Sequence, residues 1–245
     1  MARLAIVDAS LADGARVDVV VEDGQIAALG PGVGRSTDHK VDAAGGLLLP
    51  AYVDTHIHLD KVLIRDQLAE HDGTLRGAID AIHAAKRAYR VEDVRRRATA
   101  VIEASVLTGT TRLRSHVDVY TIGGLVPLEG VVAAARDCAD IAEVQVIAFP
   151  QDGLLRDPGA ADLMSEAMQR GATVVGGMPH WETTEHAQRE HVRLCFELAA
   201  RHDVDVDMHV DETDDGWREH PMCRFPVLAL NDFAAQCRCP PILIQ

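Results

Sequence analysis

The chain has 245 residues, 47% hydrophobic and 25% charged, a balance that excludes a disordered polymer and suits one large or two smaller globular domains. Its formal charge of −14, from 24 Lys and Arg against 38 Asp and Glu, excludes a nucleic-acid backbone or an anionic membrane surface as the natural partner. The five cysteines are odd in number and irregularly spaced, and no apolar run reaches the length of a signal peptide or membrane span, so a reducing, cytoplasmic setting is expected.

The first fifty residues predict short strands separated by turns. Leu4-Ala-Ile-Val7, Val17-Asp-Val-Val-Val21 and Gln25-Ile-Ala-Ala-Leu29 are β-rich, and the dipeptides Asp13-Gly14 and Asp23-Gly24 are hairpin signals between them. Gly45-Gly-Leu-Leu-Leu-Pro50 then reads as an apolar strand running into a polar cluster. Beyond it the pattern alternates. Strands are expected near 48–54, 110–115, 143–149, 172–177 and 204–208, with helices over 74–89, 92–108, 127–138, 160–170 and 186–202. Crossovers of this length imply a parallel sheet.

Polar side chains gather where each strand ends: Asp54-Thr-His56-Ile-His58, His116-Val-Asp118, Pro150-Gln151, Pro179-His180-Trp-Glu182 and His209-Val-Asp211-Glu212. No glycine-rich phosphate loop follows any of them. Chemistry at the C-terminal ends of successive strands is the habit of a (β/α)8 barrel rather than of a doubly wound sheet. Five strands make only part of such a barrel. Residues 216–245 break the pattern, with three of the five Cys and four of the ten Pro, the composition expected of a foreign or shifted reading frame.

His56 and His58 lie two apart, so alternation along a strand turns both imidazoles the same way, a pair suited to zinc or ferrous iron; two exposed loop histidines are the plainer alternative. His209 can add a third nitrogen, and Glu212 a carboxylate able to carry protons beside a metal-activated water, although Asp214 and Asp215 also allow an acidic surface loop. Gln151 carries a donor and an acceptor on one plane and can read the edge of a heterocycle, or simply cap a turn. His116, Asp118, His180 and Glu182 are expected in supporting roles. Cys237 and Cys239 could hold a soft metal only with partners that the sequence does not offer.

Taken together, Asp-Thr-His-Ile-His-Leu-Asp, Gly73-Thr74-Leu75, Arg-Ser-His-Val-Asp-Val, Val-Ile-Ala-Phe-Pro-Gln-Asp-Gly, Val-Val-Gly-Gly-Met-Pro-His-Trp-Glu and His-Val-Asp-Glu-Thr-Asp-Asp resemble successive blocks of the cytosine-deaminase branch of the amidohydrolase superfamily. The resemblance covers about residues 2–215. It implies an α/β fold: part of a small β-sandwich over 1–48, strands one to five of a (β/α)8 TIM barrel over 49–215, and an unmatched tail over 216–245. It also implies one divalent metal ion, Fe2+ or Zn2+, held by His56, His58 and His209, with Glu212 as proton shuttle. Gln151 would read the ring edge and Leu75 would line the pocket. The partner would be a small heterocyclic amine, hydrolysed at a non-peptide C–N bond; full-length family members are often oligomers, which tells little about a shorter chain, and association is expected through the unpaired edges of an open five-strand sheet. His-Ile-His-Leu-Asp-Lys, 56–61, also resembles the N-isopropylammelide hydrolases. The family further uses a histidine after its sixth strand and an aspartate after its eighth, and neither has a counterpart here. The expectation is therefore an incomplete active site, with a non-catalytic, metal-binding fragment as the alternative.

Overall fold

The computed structural model describes residues 3–68, 74–210 and 243–244. They fall into two compact units, Met1–Ala51 and Tyr52–Gln245.

The first unit is a four-stranded sheet. Strands β1 (Arg3–Ser10) and β2 (Arg16–Glu22) pair antiparallel, β3 (Gln25–Gly30) adds antiparallel to β2, and β4 (His39–Asp42) lies parallel to β1. Both Asp-Gly turns behave as their composition requires. Asp23 and Gly24 take φ of 49° and 79° in a two-residue hairpin, a conformation that glycine adopts without a Cβ penalty. Ala5, Ala9, Val17, Val19 and Val20 are the first unit's buried hydrophobic residues.

The apolar run at 45–50 corrects one expectation. Its backbone bonds back to Ser10, with Ser10 N–H donating to the Gly46 carbonyl and Leu48 N–H to the Ser10 carbonyl, each within 2.9 Å. The run thus belongs to the first unit, and Leu47 and Leu49 stay exposed. Pro50 cannot donate to a ladder, and the first barrel strand, β5, begins only at Tyr52 and ends at Ile57.

The second unit is an open, curled parallel sheet, part of a (β/α)8 barrel. Its strands are β5, β6 (Thr110–Asp118), β7 (Glu143–Phe149), β8 (Val174–Gly177), β9 (Val206–Met208) and β10 (Leu243–Ile244), hydrogen-bonded strictly in chain order. A doubly wound sheet would reverse direction at some point in that order; an order that runs one way, with crossovers of the usual right hand, places the connecting helices on one face. Helices α1 (Leu75–Lys86) and α2 (Val91–Leu107) join β5 to β6. Helices α3 (Val126–Asp137), α4 (Ala160–Gln169) and α5 (Glu185–His202) make the next three connections. Thr74 and Thr184 cap α1 and α5 by accepting from the N–H groups of Gly77 and Ala187. The two-residue β10, from the tail, pairs in parallel with β9 and adds a sixth strand to the five expected.

The core runs from Leu113 and Val117 on β6 through Val146, Ala148 and Val175 to Val192, Phe196 and Val206. Gly176 lets β8 lie close against β7: a Cβ there would stand 2.6 Å from the Ala148 carbonyl oxygen. Among the described residues, no helix is long and apolar enough to cross a membrane.

Candidate active site

The parallel strands bring their polar C-terminal ends to one rim. His56 lies on β5 and His58 one residue beyond it; His116 and Asp118 close β6; Gln151 follows β7, Glu182 follows β8 and His209 follows β9. The ligand-capable nitrogens of His56, His58 and His209 all lie within 4.8 Å of one another. The two Nε2 atoms of His56 and His58 are 3.3 Å apart. Two nitrogens bound at about 2.05 Å to one tetrahedral ion would stand roughly 3.3 Å apart, so this pair fits a single zinc-sized ion.

The donor chemistry agrees with that spacing. His58 Nδ1–H donates to the His116 carbonyl at 3.0 Å, which leaves Nε2 as the lone-pair nitrogen. Burial, and then the Lys61 charge, push the His58 pKa down to about 2, so the ring is neutral as a ligand must be. His209 is anchored through its backbone N–H, which donates to the Gly177 carbonyl at 2.9 Å. A fourth imidazole, His116, stacks beside the three with ring centroids 4.7 Å from both His56 and His209. Its Nε2 faces Asp207 Oδ1 at 3.1 Å, and Arg114 holds the other Asp207 oxygen at 2.8 Å. Burial lowers the His116 pKa despite that carboxylate.

An open pocket at the same end of the sheet is lined by Lys61, Ile82, His83, Lys86, Gln151, Asp152 and Trp181. Phe149 joins the two regions: its ring centroid is 4.4 Å from that of His209, and Gln151 follows two residues later. Lys61 Nζ donates to Gln151 Oε1 at 2.9 Å and to Asp118 Oδ1 at 2.7 Å, while Gln151 Nε2 donates to Met178 Sδ at 2.9 Å.

Beneath this pair is a buried ion cluster. Lys86, 2% exposed, reaches Asp118 Oδ2 at 2.6 Å and Asp152 Oδ1 at 3.4 Å, and His83 Nε2 is 2.7 Å from the same Asp152 oxygen. Burial works against ionisation of Asp118, but Lys61 and Lys86 outweigh it and hold its carboxyl well below the usual range. Asp60 is its counterpart. It accepts the Asp118 N–H at 3.3 Å, and burial together with the Asp118 charge raises its pKa.

The structure therefore brings together His56, His58 and His209, and sets Gln151 in the neighbouring pocket. Leu75 opens α1, the helix that also carries His83 and Lys86; its side chain lies outside the described residues, as does Glu212. Cys237 and Cys239 also lie outside them. Lys86, His83 and Asp152 were not singled out from sequence. The lone signal for the first two was their i, i+3 spacing on an amphipathic helix.

No family model matches the sequence. It is 31% identical over 179 residues to the N-isopropylammelide isopropyl amidohydrolase of Pseudomonas sp. strain ADP, covering 71% of this chain and 44% of that protein. It is 31% identical over 203 residues to the pterin deaminase of Rhizobium rhizogenes, covering 82% and 46%. The crystal structure of 5-methylcytosine deaminase from Klebsiella pneumoniae liganded with 5-fluorocytosine superposes with a TM-score of 0.84 at 33% identity, covering 95% of this chain and 56% of that one. The chain thus spans a little under half the length of these two curated relatives.

Proposed function

Because the chain belongs to the cytosine-deaminase-like branch of the amidohydrolase superfamily, we propose that it carries the metal-binding and ring-reading part of a hydrolytic deaminase. The substrate class would be an amine-bearing, oxo-substituted nitrogen ring of pyrimidine or triazine type. One observation carries the reading: three imidazole nitrogens gathered within 4.8 Å at the strand-end rim that also carries Gln151.

His56, His58 and His209 would hold one divalent ion, zinc or ferrous iron. Such an ion, when bound, would lower the pKa of water and so supply the nucleophile for the reacting carbon. The chain's own groups would do the rest. Gln151, its carbonyl engaged by Lys61, would donate Nε2–H to a ring acceptor such as an oxo group. Lys61, fixed by Asp118, would keep that amide from flipping. Glu212, three residues after His209, would carry the proton released by water to the ring nitrogen, and then a second proton, released by the newly added hydroxyl as it becomes the carbonyl, to the departing amine.

The reading is tested by stripping the protein with chelator, adding zinc or ferrous iron, and measuring metal content, cytosine binding and ammonia release. About one ion per chain is expected, with affinity reduced at least tenfold in His56→Ala. Cytosine binding should be lost in Gln151→Ala. Equal metal content in wild type and a His56→Ala/His58→Ala double variant would overturn it.

A further inference from the structure

Glu182 lies outside the metal cluster and the pocket lining, yet it is nearly buried, at 5% exposure, and surrounded by donors. Its Oε1 accepts the backbone N–H groups of Leu154 at 2.6 Å and Leu155 at 3.0 Å, and its Oε2 accepts that of Arg156 at 3.2 Å. The fully buried His191 supplies a fourth donor, Nδ1–H at 2.8 Å from Oε1. The tautomer follows from the geometry, because His191 Nε2 accepts the Met178 N–H at 3.0 Å and the ring proton must then sit on Nδ1. Burial opposes a charge at both residues. His191 is accordingly held neutral, whereas the hydrogen bonds reaching Glu182 outweigh burial and keep its carboxyl ionised.

These contacts tie two strand-end segments together. Residues 150–156 carry Gln151, and the short 3₁₀ turn Pro179–Trp181 carries Trp181, which lines the same pocket. Arg156 Nη1 bonds the Trp181 carbonyl at 2.8 Å. On the far side, Met178, fixed by His191, offers its sulfur to Gln151 Nε2. Gly153 turns the loop at φ +88°, and a Cβ there would stand 2.9 Å from Glu182 Oε1. The loop thus lies flush against the carboxylate.

We propose that Glu182 is a positioning residue: by gathering the N–H groups of Leu154, Leu155, Arg156 and His191 it sets the loop that presents the Gln151 amide to the pocket. The proposal deepens, and rests on, the reading of Gln151 as the group that meets the substrate ring. All four neighbours donate, so the site accepts only an acceptor with two oxygens. An amide in its place puts N–H against N–H whichever way it is turned.

The test compares wild type, Glu182→Gln and Gly153→Ala in the full chain. Three quantities are measured: hydrogen exchange over 150–156, the side-chain NH2 resonances of Gln151 (assigned by their loss in Gln151→Ala), and affinities for zinc and cytosine. In Glu182→Gln, exchange over the loop should rise and cytosine affinity fall by about tenfold. The Gln151 resonances should shift, and zinc affinity should stay within about twofold, a separation that general destabilisation would not give. Gly153→Ala leaves both buried partners in place and should reproduce the pattern from the loop side, so it decides the matter if Glu182→Gln does not fold. Unchanged exchange and unchanged Gln151 resonances, or a parallel loss of zinc affinity, would overturn the proposal. If wild type binds no cytosine, the ring-reading role falls, while exchange and the Gln151 resonances still decide what Glu182 does.

Discussion

Lys61 Nζ stands 2.9 Å from Gln151 Oε1, and this single contact fixes which way the amide faces. With its carbonyl turned to an ammonium, the side chain directs its NH2 away from Lys61 and so presents N–H to a ligand. Lys61 is in turn held by Asp118, and Asp118 by Lys86, so the orientation of an amide at the pocket depends on an ion cluster beneath it.

That cluster gives a pH-dependent prediction. Lys86→Met leaves the fully buried Asp118 with one cation instead of two and should cost about 3 kcal/mol at pH 7. The sign follows from linkage. Asp118 has a folded pKa below its unfolded value, so its contribution is present above the unfolded value and is lost as pH falls through the folded one. Removing Lys86 raises the folded pKa toward the ordinary value and shrinks that contribution. The deficit should therefore be largest at neutral pH and diminish as pH falls below the usual carboxylate range. Urea unfolding at pH 7 and near pH 2, below the usual carboxylate range, measures it; a deficit that grows on acidification contradicts the assignment.

Metal binding should be visible as stability. An ion that binds only the folded chain stabilises it by about 2.7 kcal/mol at a hundredfold excess over Kd. Zinc should raise the Tm of wild type and leave a His56→Ala/His58→Ala variant unmoved, with EDTA reversing the shift. The same experiment checks His116. Its Nε2 is engaged by Asp207, so His116→Gln should lower the Tm without removing the zinc response.

The parts legible in sequence were those that local periodicity writes down. His56 and His58 share a face because strands alternate, and Gln151 and His209 could be placed at the same rim because they follow β-rich runs. The Leu47–Leu49 run misled because its pairing partner, Ser10, lies almost forty residues earlier, and apolar composition alone cannot distinguish a barrel strand from a segment bonded to another sheet. The ion cluster was invisible for the same reason. Lys86 meets Asp118 across 32 positions and His83 meets Asp152 across 69, pairings that topology creates and no motif records. Glu182 stood out only as one polar residue at a strand end; its four donors come from a loop nearly thirty residues upstream and from α5.

The donor facing of Gln151 leads to a prediction about selectivity. In wild type one Nε2–H goes to Met178 Sδ and Lys61 occupies Oε1, leaving the other Nε2–H for a ligand. A ring that places a carbonyl oxygen there, as cytosine does with its 2-oxo group, should bind better than 2,4-diaminopyrimidine, which places an amino group there and sets donor against donor. Gln151→Glu removes the donor. One carboxylate oxygen keeps the Lys61 contact as an ion pair, and the other becomes an acceptor. Cytosine affinity should fall by about tenfold or more, while the diamino ring gains relative to it, because an unpaired or opposed buried polar group costs more than a lost contact. The Lys61 ammonium and the Asp118 carboxylate remain, so the fold and zinc affinity should change little. Competition between the two rings, measured by calorimetry on both proteins, reads the ratio directly. A ratio unchanged between wild type and Gln151→Glu would mean that the ring meets some other group, and that the Lys61–Gln151 contact serves only to neutralise the lysine.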